Sequence, residues 1–444
     1  MGLITLRQAA RWCSGTVAPE YADTVFCGAN MDSRQIGKGE LFVALEGVRD
    51  GHEFIGAAME KGAAAVLCKH CGANIPAILV DDPRIALGRI AAGYRQQLGM
   101  QVVGVTGSVG KSTTKEMIAA VLDGDYIVSK TPANFNNDLG LPMAILAMPE
   151  TTQLAVLEMG MNHFGEISYL TNIARPDAAV IINVGTMHIE NLGSREGILQ
   201  AKLEILEGLK PEGKVFLSGD NDMLWSVRQK LGREVTYFGA ENPDCSVCAQ
   251  NVAEDDGISF LVAAEQARFG VHLALEGRHY VVDALAAVAV GLAFGVAPER
   301  IAQRLGRFEN MAGRQETFDE KGFHIIQDCY NAGPESMAAA LAVLGKRSGR
   351  RIAVLGDMLE LGEQAPGLHE TVGVLAAENA DLVLAYGPMA CWVQRGAGEK
   401  CRIFDSHDAM AEALKKLSEP NDTLLFKGSH GMHMERVLDK FLDR

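Results

Sequence analysis

Short apolar runs alternate with amphipathic segments through the middle of the chain. Between the apolar runs, KSTTKEMIAAVL (111–122) and SREGILQAKLEILEGL (194–209) have the apolar spacing of helices. Strands that are apolar on both faces and alternate with helices predict a parallel sheet covered by helices on each side. The strand patterns are QVVGVT (101–106), QLAVLEM (153–159), DAAVIINV (177–184) and GKVFLS (213–218).

The same alternation starts again after residue 310, with a rhythm typical of a Rossmann-like α/β unit. Each of its strand patterns is followed by a helix pattern; the strands are FHIIQD (323–328), RIAVLGD (351–357), DLVLAYG (381–387) and DTLLFKG (422–428). The turn signal DDPR (81–84) separates a small mixed unit at the N-terminus. We therefore predict an α/β protein of three domains, at residues 1–82, 83–310 and 311–444.

Composition and charge narrow the range of partners. Hydrophobic residues make up 48% of the chain and aromatic residues only 6%, which is typical of an α/β enzyme. The net charge of −15 argues against nucleic acid or an anionic membrane surface as the main partner. The first residues, MGLITLRQAARWCSG, lack a signal-peptide core, and no apolar run approaches the roughly 18 residues of a membrane span. We expect a cytoplasmic protein without stable membrane insertion.

The nine cysteines include two Cys-x-x-Cys pairs, Cys68/Cys71 and Cys245/Cys248, so a four-cysteine zinc site is one alternative. The pairs lie far apart in sequence, and DCSVCAQNV (244–252) also fits a β-strand in which cysteine is a small hydrophobic residue. An odd number of cysteines suits a reducing compartment. We favour the strand interpretation.

The stretch GVTGSVGKSTT (104–114) joins the first central strand to a helix pattern. The common phosphate-loop spacing would put a glycine at 105, where this chain has valine. A strand, a glycine loop and a helix N-terminus nevertheless present backbone N–H groups to phosphates, with Lys111 reaching the β/γ oxygens and Ser112 reaching Mg²⁺. The alternative is a structural turn, in which a lysine and three hydroxyl groups would be unusual. The predicted nucleotide contacts are Thr106, Gly107, Ser108, Val109, Gly110, Lys111, Ser112 and Thr113.

Glu158 closes the strand pattern QLAVLEM. Ligands bind at the carboxyl ends of strands in parallel sheets, and Mg²⁺ prefers hard oxygen ligands. We therefore predict that Glu158 is a metal ligand; a surface glutamate after a strand is the alternative.

The form G[VI]TG[ST]xGK[ST]T of the glycine loop resembles that of the Mur ligases and folylpolyglutamate synthetases, which are ATP-dependent amide-forming enzymes. The resemblance implies ATP and Mg²⁺ as cofactors. It also implies a metal role for His188, which follows the next strand in TMHIENLGS (186–194).

Lys202 interrupts an apolar helical stripe formed by Ile198, Ile205 and Leu209. One interpretation is that its stem covers the core while its amine reaches water. In the other, a partly desolvated amine reacts with CO₂. The segment resembles the Mur ligase AKxEI stretch, whose lysine is carbamylated and binds a second Mg²⁺.

Further segments resemble Mur ligase motifs over nearly the whole chain. MDSRQIGKGELFVALEGVRDGHEFI (31–55) resembles the UDP-sugar-binding module, and the planar fork of Arg34 beside Ser33 suits a pyrophosphate. MAGRQE (311–316) resembles the motif whose arginine, here Arg314, reaches the ATP phosphates. TPANFNNDLGLP (131–142) resembles the asparagine-rich loop, with Asn134 at the substrate, Asn137 at the nucleotide, and Asn136 between them in sequence.

Two segments resemble the D-alanyl-D-alanine-adding branch of the family. They are QDCYNAGPESM (327–337), compared with D.YNANP.SM, and VLGDMLELGE (354–363), compared with LGDMxELG; KGSHGMHME (427–435) fits the same branch. The resemblance implies nucleotide contacts from Asp328 and Asn331 and substrate contacts from Tyr330 and Asp357.

The chain departs from the family at two motifs. Gly333 stands where YNANP has its second asparagine. The family's HNxxNALAA stretch, whose asparagines face adenine, is represented here by residues 279–287 with Tyr280 and Asp283 at the asparagine positions. His279 and Asp283 remain the predicted nucleotide contacts, although a carboxylate accepts hydrogen bonds without donating any as an amide does.

The implied enzyme adds D-alanyl-D-alanine to UDP-N-acetylmuramoyl-tripeptide through an acyl phosphate, in cytoplasmic peptidoglycan precursor synthesis. Its catalytic residues would be Lys111, Lys202, His188 and Arg314, with Ser112, Glu158, His188 and Lys202 around the metal. The three domains would bind the UDP-substrate, ATP and D-alanyl-D-alanine in chain order, in a monomer. The alternatives are another Mur ligase, a folylpolyglutamate synthetase-like ligase, or a nucleotide-dependent switch.

Overall fold

The computed structural model describes residues 2–265, 267–311 and 313–444, and it contains three sheets large enough to carry helices on their faces, plus one short two-stranded pairing. Ala312, in the predicted 311–316 motif, lies outside the described residues. The first part of the chain forms β1 (Ile4–Thr5), α1 (Leu6–Cys13), β2 (Val25–Phe26), β3 (Ala29–Asn30), β4 (Leu41–Val43), α2 (Ile55–Glu60), β5 (Ala65–Cys68) and β6 (Ala77–Leu79). Strands β3 to β6 pair in parallel and in sequence order, while β1 pairs with β2.

The helix α3 (Pro83–Leu98) begins where the sequence predicts a boundary. The sequence favours a helix start here, because the Asp82 side chain caps two backbone N–H groups and Pro83 occupies the first turn. The helix ends at Gly99, whose φ of 65° lies in the left-handed region. The buried face of α3 belongs to a core that includes side chains of α1 and of the central sheet. This helix therefore joins the N-terminal and central domains by packing.

The central domain contains a nine-stranded sheet in the order β15-β14-β13-β12-β11-β10-β7-β9-β8. Strands β7 to β13 pair in parallel with one another, whereas β13, β14 and β15 form an antiparallel meander. Its elements are β7 (Gln101–Thr106), α4 (Lys111–Leu122), β8 (Val128–Lys130), α5 (Gly140–Leu146), β9 (Leu154–Glu158), α6 (Glu166–Ala174), β10 (Ala178–Ile181), α7 (Ile189–Leu192), α8 (Arg195–Leu203), β11 (Lys214–Ser218), α9 (Asp222–Ser226), β12 (Val235–Gly239), β13 (Val247–Ala253), β14 (Ile258–Ala264), β15 (Ala267–Leu273), α10 (Tyr280–Ala293) and α11 (Pro298–Leu305).

The meander differs from the predicted all-parallel sheet. In β14 and β15, buried and more exposed residues alternate, so these strands cover the core with one face only. The second cysteine pair fits this region as expected: Cys248 lies in β13, and Cys245 lies just before it. Within the described residues, no group of three or more His, Cys, Asp or Glu side chains could hold a metal ion, which leaves the zinc alternative without support.

The C-terminal domain contains a six-stranded sheet in the order β16-β17-β21-β18-β19-β20, in which only β16 is antiparallel to its neighbour. Helices cover both faces, as the predicted Rossmann-like alternation requires. The elements are β16 (Glu316–Glu320), β17 (Phe323–Asp328), α12 (Pro334–Gly345), β18 (Arg351–Gly356), α13 (Ala365–Asn379), β19 (Leu382–Tyr386), α14 (Ala390–Ala397), β20 (Cys401–Phe404), α15 (His407–Leu417), β21 (Thr423–Lys427) and α16 (Glu435–Phe441). None of the helices in the described ranges is long and apolar enough to cross a membrane.

Candidate active site

A cavity of about 1190 Å³ lies where the ends of the central strands face the C-terminal domain. Most of the residues predicted from the sequence line it together. They are Ser108, Val109, Gly110, Lys111, Ser112, Thr113, Asn134, Asn137, Glu158, His188, His279, Asp283, Arg314, Asp328, Tyr330 and Asn331.

The glycine loop turns from β7 into α4 at Gly110, whose φ of 80° lies in the left-handed region. A side chain there would meet the Asp283 carboxylate, since an added Cβ would lie 2.7 Å from Oδ1. Asn183, which follows β10, fixes the loop from the opposite side: its Oδ1 accepts from the backbone N–H groups of Ser108 and Val109 at 2.8 and 3.0 Å. Asn183 thus fixes the first part of the loop and satisfies the backbone N–H groups of Ser108 and Val109.

The Lys111 amine donates to the carbonyl oxygens of Gly107 and Ser108 at 2.9 and 3.2 Å. Burial lowers the pKa of Lys111, while the charge of Glu158 opposes that effect. The lysine therefore lies folded over its own loop, and its present partners are neutral carbonyl groups. A phosphate anion in the loop would offer the amine a charged partner instead.

The Glu158 carboxylate is 2% exposed and is held by both oxygens. Ser112 Oγ donates to Oε2 at 2.7 Å, and Asn136 Nδ2 donates to Oε1 at 2.8 Å. The backbone N–H of Glu158 donates to Thr131 Oγ1 at 3.0 Å. The structure thus brings the predicted hydroxyl and carboxylate ligands together at the start of α4.

Lys115 supports this arrangement from within the core. It is fully buried one helical turn after Lys111, and its amine donates to the Thr131 carbonyl at 2.7 Å and pairs with Glu116 Oε1 at 3.1 Å. Since Thr131 also holds the backbone of Glu158, the placement of Glu158 depends in part on Lys115, a lysine outside the predicted site residues. Its sequence signal is weak, because Lys111 and Ser112 precede it on the same face of the helix and make a lysine there ordinary.

Lys202 lies in α8 and is 2% exposed. Burial, with a further contribution from the charge of Lys111, moves the pKa of the Lys202 amine well below its ordinary value. Among the side-chain hydrogen bonds of the described residues, none involves this amine, and Lys202 does not line the cavity wall. The interpretation in which the head group reaches bulk water does not match this burial.

His188 adopts a left-handed backbone conformation, with φ of 63° and ψ of 19°. Such a conformation costs a non-glycine residue about 1–3 kcal/mol and persists where the surroundings enforce it. His188 Nδ1 lies 2.5 Å from Glu360 Oε2 of the C-terminal domain, and this imidazole holds the pKa of Glu360 below its ordinary value. The contact is close but lacks hydrogen-bond geometry, since Nδ1 has no hydrogen-bond partner among the described residues.

The C-terminal domain contributes a second group of charged residues to the cavity. The guanidinium carbon of Arg314 lies 3.9 Å from the centre of the Tyr330 ring. Asp328 accepts from the buried Lys427 amine at 2.6 Å, and Lys427 also donates to the Asn331 carbonyl at 3.0 Å. Lys427 begins the KGSH segment and orients the two residues predicted to contact the nucleotide.

His279 and Asp283 lie at the start of α10, which packs against α4. Burial raises the pKa of Asp283 to about 7, against the hydrogen bond that its Oδ1 accepts from Thr114 Oγ1 at 2.8 Å. Burial also lowers the pKa of His279 to about 4. Asp283 is therefore already engaged with the phosphate-loop helix, on the wall of the same cavity.

Comparison with known proteins assigns this architecture to a family. Family models described as "Mur ligase family, catalytic domain", "Mur ligase middle domain" and "Mur ligase, glutamate ligase domain" match residues 27–95, 105–291 and 313–430. The chain is 41% identical over 455 residues to the UDP-N-acetylmuramoyl-tripeptide--D-alanyl-D-alanine ligase of Bacillus subtilis (strain 168), with 99% of this chain and 98% of the relative covered. This chain belongs to the Mur ligase family.

Solved structures of Mur ligases share the whole fold. MurF from Acinetobacter baumannii superposes with a TM-score of 0.93 at 31% identity and covers all of both chains. The MurF ligase of Thermotoga maritima, in complex with ADP, has a TM-score of 0.84 at 30% identity, with 94% of this chain and 97% of that chain covered. The family resemblance and the three-domain α/β architecture predicted from the motifs are both confirmed.

Several residues assigned by Mur ligase motifs lie apart from the cavity wall. Ser33 and Arg34 belong to the N-terminal domain, where the Arg34 side chain is 85% exposed and forms a two-pronged ion pair with Asp32. Asp357 is buried in the C-terminal domain, and one of its oxygens accepts from the backbone N–H of Met389 at 2.9 Å. Thr106 and Gly107 also do not line the wall. Their roles in the Mur ligase reaction stay predictions.

Proposed function

We propose that this Mur ligase joins D-alanyl-D-alanine to the terminal carboxylate of UDP-N-acetylmuramoyl-tripeptide at the expense of ATP. The observation that carries the proposal is the full-length similarity to a relative named for this activity. The reaction belongs to peptidoglycan precursor synthesis, which we assign to the cytoplasm, and it supplies cell-wall material for cell shape and division.

The chemistry requires two steps, because a carboxylate and an amine do not condense spontaneously in water. An oxygen of the tripeptide carboxylate attacks the γ-phosphorus of ATP, and the bond to the β-phosphate oxygen breaks, giving an acyl phosphate and ADP. The dipeptide amine then attacks the acyl carbon. The tetrahedral intermediate loses phosphate and a proton and leaves the new amide.

The residues of the cavity support this sequence by binding and charge neutralisation. The backbone N–H groups at the start of α4, from Gly110 to Ser112, and the amine of Lys111 would hold the β/γ-phosphates. Arg314, which the C-terminal domain contributes to the cavity, would neutralise the oxygens of the transferring phosphoryl group. The ADP complex of the Thermotoga maritima neighbour supports nucleotide binding at a fold of this kind.

The donor set fits Mg²⁺. Ser112 Oγ and Glu158 Oε2 are hard oxygen donors 2.7 Å apart beside the phosphate loop, and protein Mg²⁺ sites commonly use one or two such groups with substrate phosphates and water. Ser112, Glu158 and His188 would hold the ion, which supplies charge neutralisation at the phosphates when bound. We further propose that the desolvated Lys202 amine forms a carbamate and so becomes a ligand of a second Mg²⁺.

The other predicted contacts complete the proposal. We assign His279, Asp283, Asn137, Asp328 and Asn331 to the nucleotide, because they line the cavity around the phosphate loop. Asn134 and Tyr330 share that wall and are assigned to the substrates, as are Ser33, Arg34 and Asp357 by motif. The N-terminal domain would bind the UDP-substrate and the C-terminal domain the dipeptide.

Phosphate release from ATP tests the function. We expect release only when D-alanyl-D-alanine and a UDP-muramoyl tripeptide are both present, and comparison of the lysine and diaminopimelate tripeptides identifies the natural acceptor. Lys111→Ala is the control for contaminating ATPases and should lower turnover by at least about a hundredfold, because one phosphate contact contributes several kcal/mol in the transition state. Equal phosphate release in the absence of both D-alanyl-D-alanine and the tripeptide would instead indicate a nucleotide-dependent switch.

A further inference from the structure

The loop that carries His188 is held by the C-terminal domain. Glu335, at the start of α12, accepts two hydrogen bonds through Oε1, from the Thr186 backbone N–H at 2.9 Å and from Thr186 Oγ1 at 3.1 Å. The two residues are 149 positions apart in sequence and belong to different domains. Both residues lie in segments that resemble Mur ligase motifs, but neither was predicted as a site residue.

Glycines on both sides let the two domains approach this closely. An added Cβ at Gly185 would lie 2.6 Å from Glu335 Oε1, and one at Gly333 would lie 2.7 Å from Met187 Cγ. The φ of Gly333 is −148°, which any residue can adopt, so space rather than backbone conformation favours glycine there. Gly333 is also the position at which this chain departs from the family motif, and it now has a structural role.

The same loop continues into the strained His188. Both His188 and its partner Glu360 have φ of 63°, so the pair joins two left-handed residues from two domains. Strained conformations persist when neighbouring contacts enforce them. The only side-chain hydrogen bonds that link the 185–188 loop to the C-terminal domain, within the described residues, are those from Thr186 to Glu335.

We propose that Glu335 is a positioning residue that couples docking of the C-terminal domain to the placement of His188. A charged acceptor suits this task, because hydrogen bonds to a carboxylate are shorter and stronger than those to a neutral group. When the domains separate, Thr186 loses both bonds and His188 loses the contacts that enforce its conformation.

Amide hydrogen exchange of the ligand-free protein tests the contact directly, since the Thr186 N–H is itself a donor. We expect Glu335→Ala to accelerate exchange in the segment containing Thr186 by at least about tenfold, the equivalent of one hydrogen bond to a charged group. Glu378→Ala is the matched control, because Glu378 is an exposed residue of the same domain. Unchanged exchange in Glu335→Ala, in a variant that melts like the parent, would overturn the proposal.

Activity gives a second test, which rests on the proposed function. Glu335→Ala should lower kcat by at least about tenfold while KM for ATP changes less than about twofold, because the hydrogen bonds of Glu335 go to Thr186 and not to the phosphate loop. Thr186→Ser should retain activity, and Thr186→Val should lose part of it.

The double variant Glu335→Ala/Thr186→Val should be no worse than Glu335→Ala alone, because both changes remove one contact. Additive losses would contradict the coupling. A wild-type protein that fails to release phosphate with both acceptors would refute the proposed function but not the exchange result, which needs no turnover.

Discussion

At the scale of single residues, burial sets the chemistry of the amine at Lys202. An amine on a helix surface stays charged and hydrated, whereas this one is desolvated and lies within the influence of the positive Lys111. A neutral amine is the form that reacts with CO₂. The environment therefore favours the carbamate over the interpretation in which the lysine only covers the core.

We predict that Lys202→Ala folds normally but is nearly inactive, and that formate or acetate restores part of its rate. A small carboxylate can occupy the space that the carbamate leaves, whereas a lysine with a purely structural role offers nothing for it to replace. The measurement is phosphate release with and without the added acid. A ¹³CO₂-treated wild-type protein should also show a carbamate carbon by NMR, and that signal should be absent in the variant.

Lys111→Ala should show no such rescue, because its defect is a lost phosphate contact. Parent-like turnover in Lys202→Ala would contradict the carbamate. So would the absence of a carbamate signal in the wild type.

Asp283 gives a prediction for pH dependence. Its folded-state pKa is raised to about 7, so the folded protein binds a proton that the unfolded chain releases near pH 4. The contribution of Asp283 to the free energy of unfolding is therefore fully present at low pH and is lost as the pH rises towards 7. Asp283→Asn removes the titration, so its melting temperature relative to the parent should increase from about pH 4 to pH 7.5. A difference that is constant over this range would show that Asp283 titrates normally in the folded protein.

At the scale of elements, helix α4 contains both predicted catalytic groups and a buried lysine that helps to hold the site in place. Lys111 and Ser112 face the cavity from its first turn, while Lys115 reaches the Thr131 carbonyl from within the core. Lys130, on β8, pairs with the same Glu116 but has a side chain that is 46% exposed. Lys115 and Lys130 therefore bind the same carboxylate, one from a buried and one from an exposed position, so the effects of replacing them can be compared directly.

We predict that Lys115→Met lowers the free energy of unfolding by about 1–3 kcal/mol, because it leaves the buried Thr131 carbonyl without its donor. The same change should lower kcat, since Thr131 also holds Glu158. Lys130→Met should cost less than about 1 kcal/mol, as exposed ion pairs do. Denaturant titration and phosphate release measure both effects. Equal costs for the two variants would mean that burial of Lys115 does not matter.

Most helices and strands could be predicted from the sequence, because the spacing of apolar residues that specifies them is local. The strands that end at Thr106, Glu158 and Asp328 were predicted from short apolar runs, and α4 has the predicted bounds. In the antiparallel meander, β13 was predicted as a strand, whereas β14 and β15 were not, because they bury one face only and lack the fully apolar run of the parallel strands. The short edge strands β16 and β20 were also not predicted, because they too lack a fully buried apolar run.

The candidate site was predictable where its chemistry is encoded in a local motif. The loop residues and Glu158 follow from a strand end and a glycine pattern. Asn183, Glu335 and Glu360 lie inside quoted segments, but their roles could not be predicted in this way, because each acts on residues far away in sequence. Their contacts exist only once the sheets have formed and the domains have met.

At the scale of the whole molecule, the proposed substrates are assigned to different domains. The cavity joins the central and C-terminal domains, while Arg34 lies in the N-terminal domain outside the cavity wall and has only Asp32 as its ion-pair partner within the described residues. An exposed arginine whose fork is already aligned on a carboxylate can exchange that partner for a pyrophosphate with little reorganisation. This separation predicts that binding of the UDP-substrate can be weakened without affecting ATP.

We therefore predict that Arg34→Ala raises KM for the UDP-substrate at least about tenfold, because hydrogen bonds to a charged group are lost. KM for ATP and for D-alanyl-D-alanine should change less than about twofold. Arg34→Lys is the informative companion: it keeps the charge but loses the planar fork, so it should recover only part of the affinity if two parallel hydrogen bonds are needed. Initial rates with each substrate varied in turn measure all three constants. An equal rise in all of them would point to a folding defect, and full recovery in Arg34→Lys would reduce the role of Arg34 to a simple positive charge.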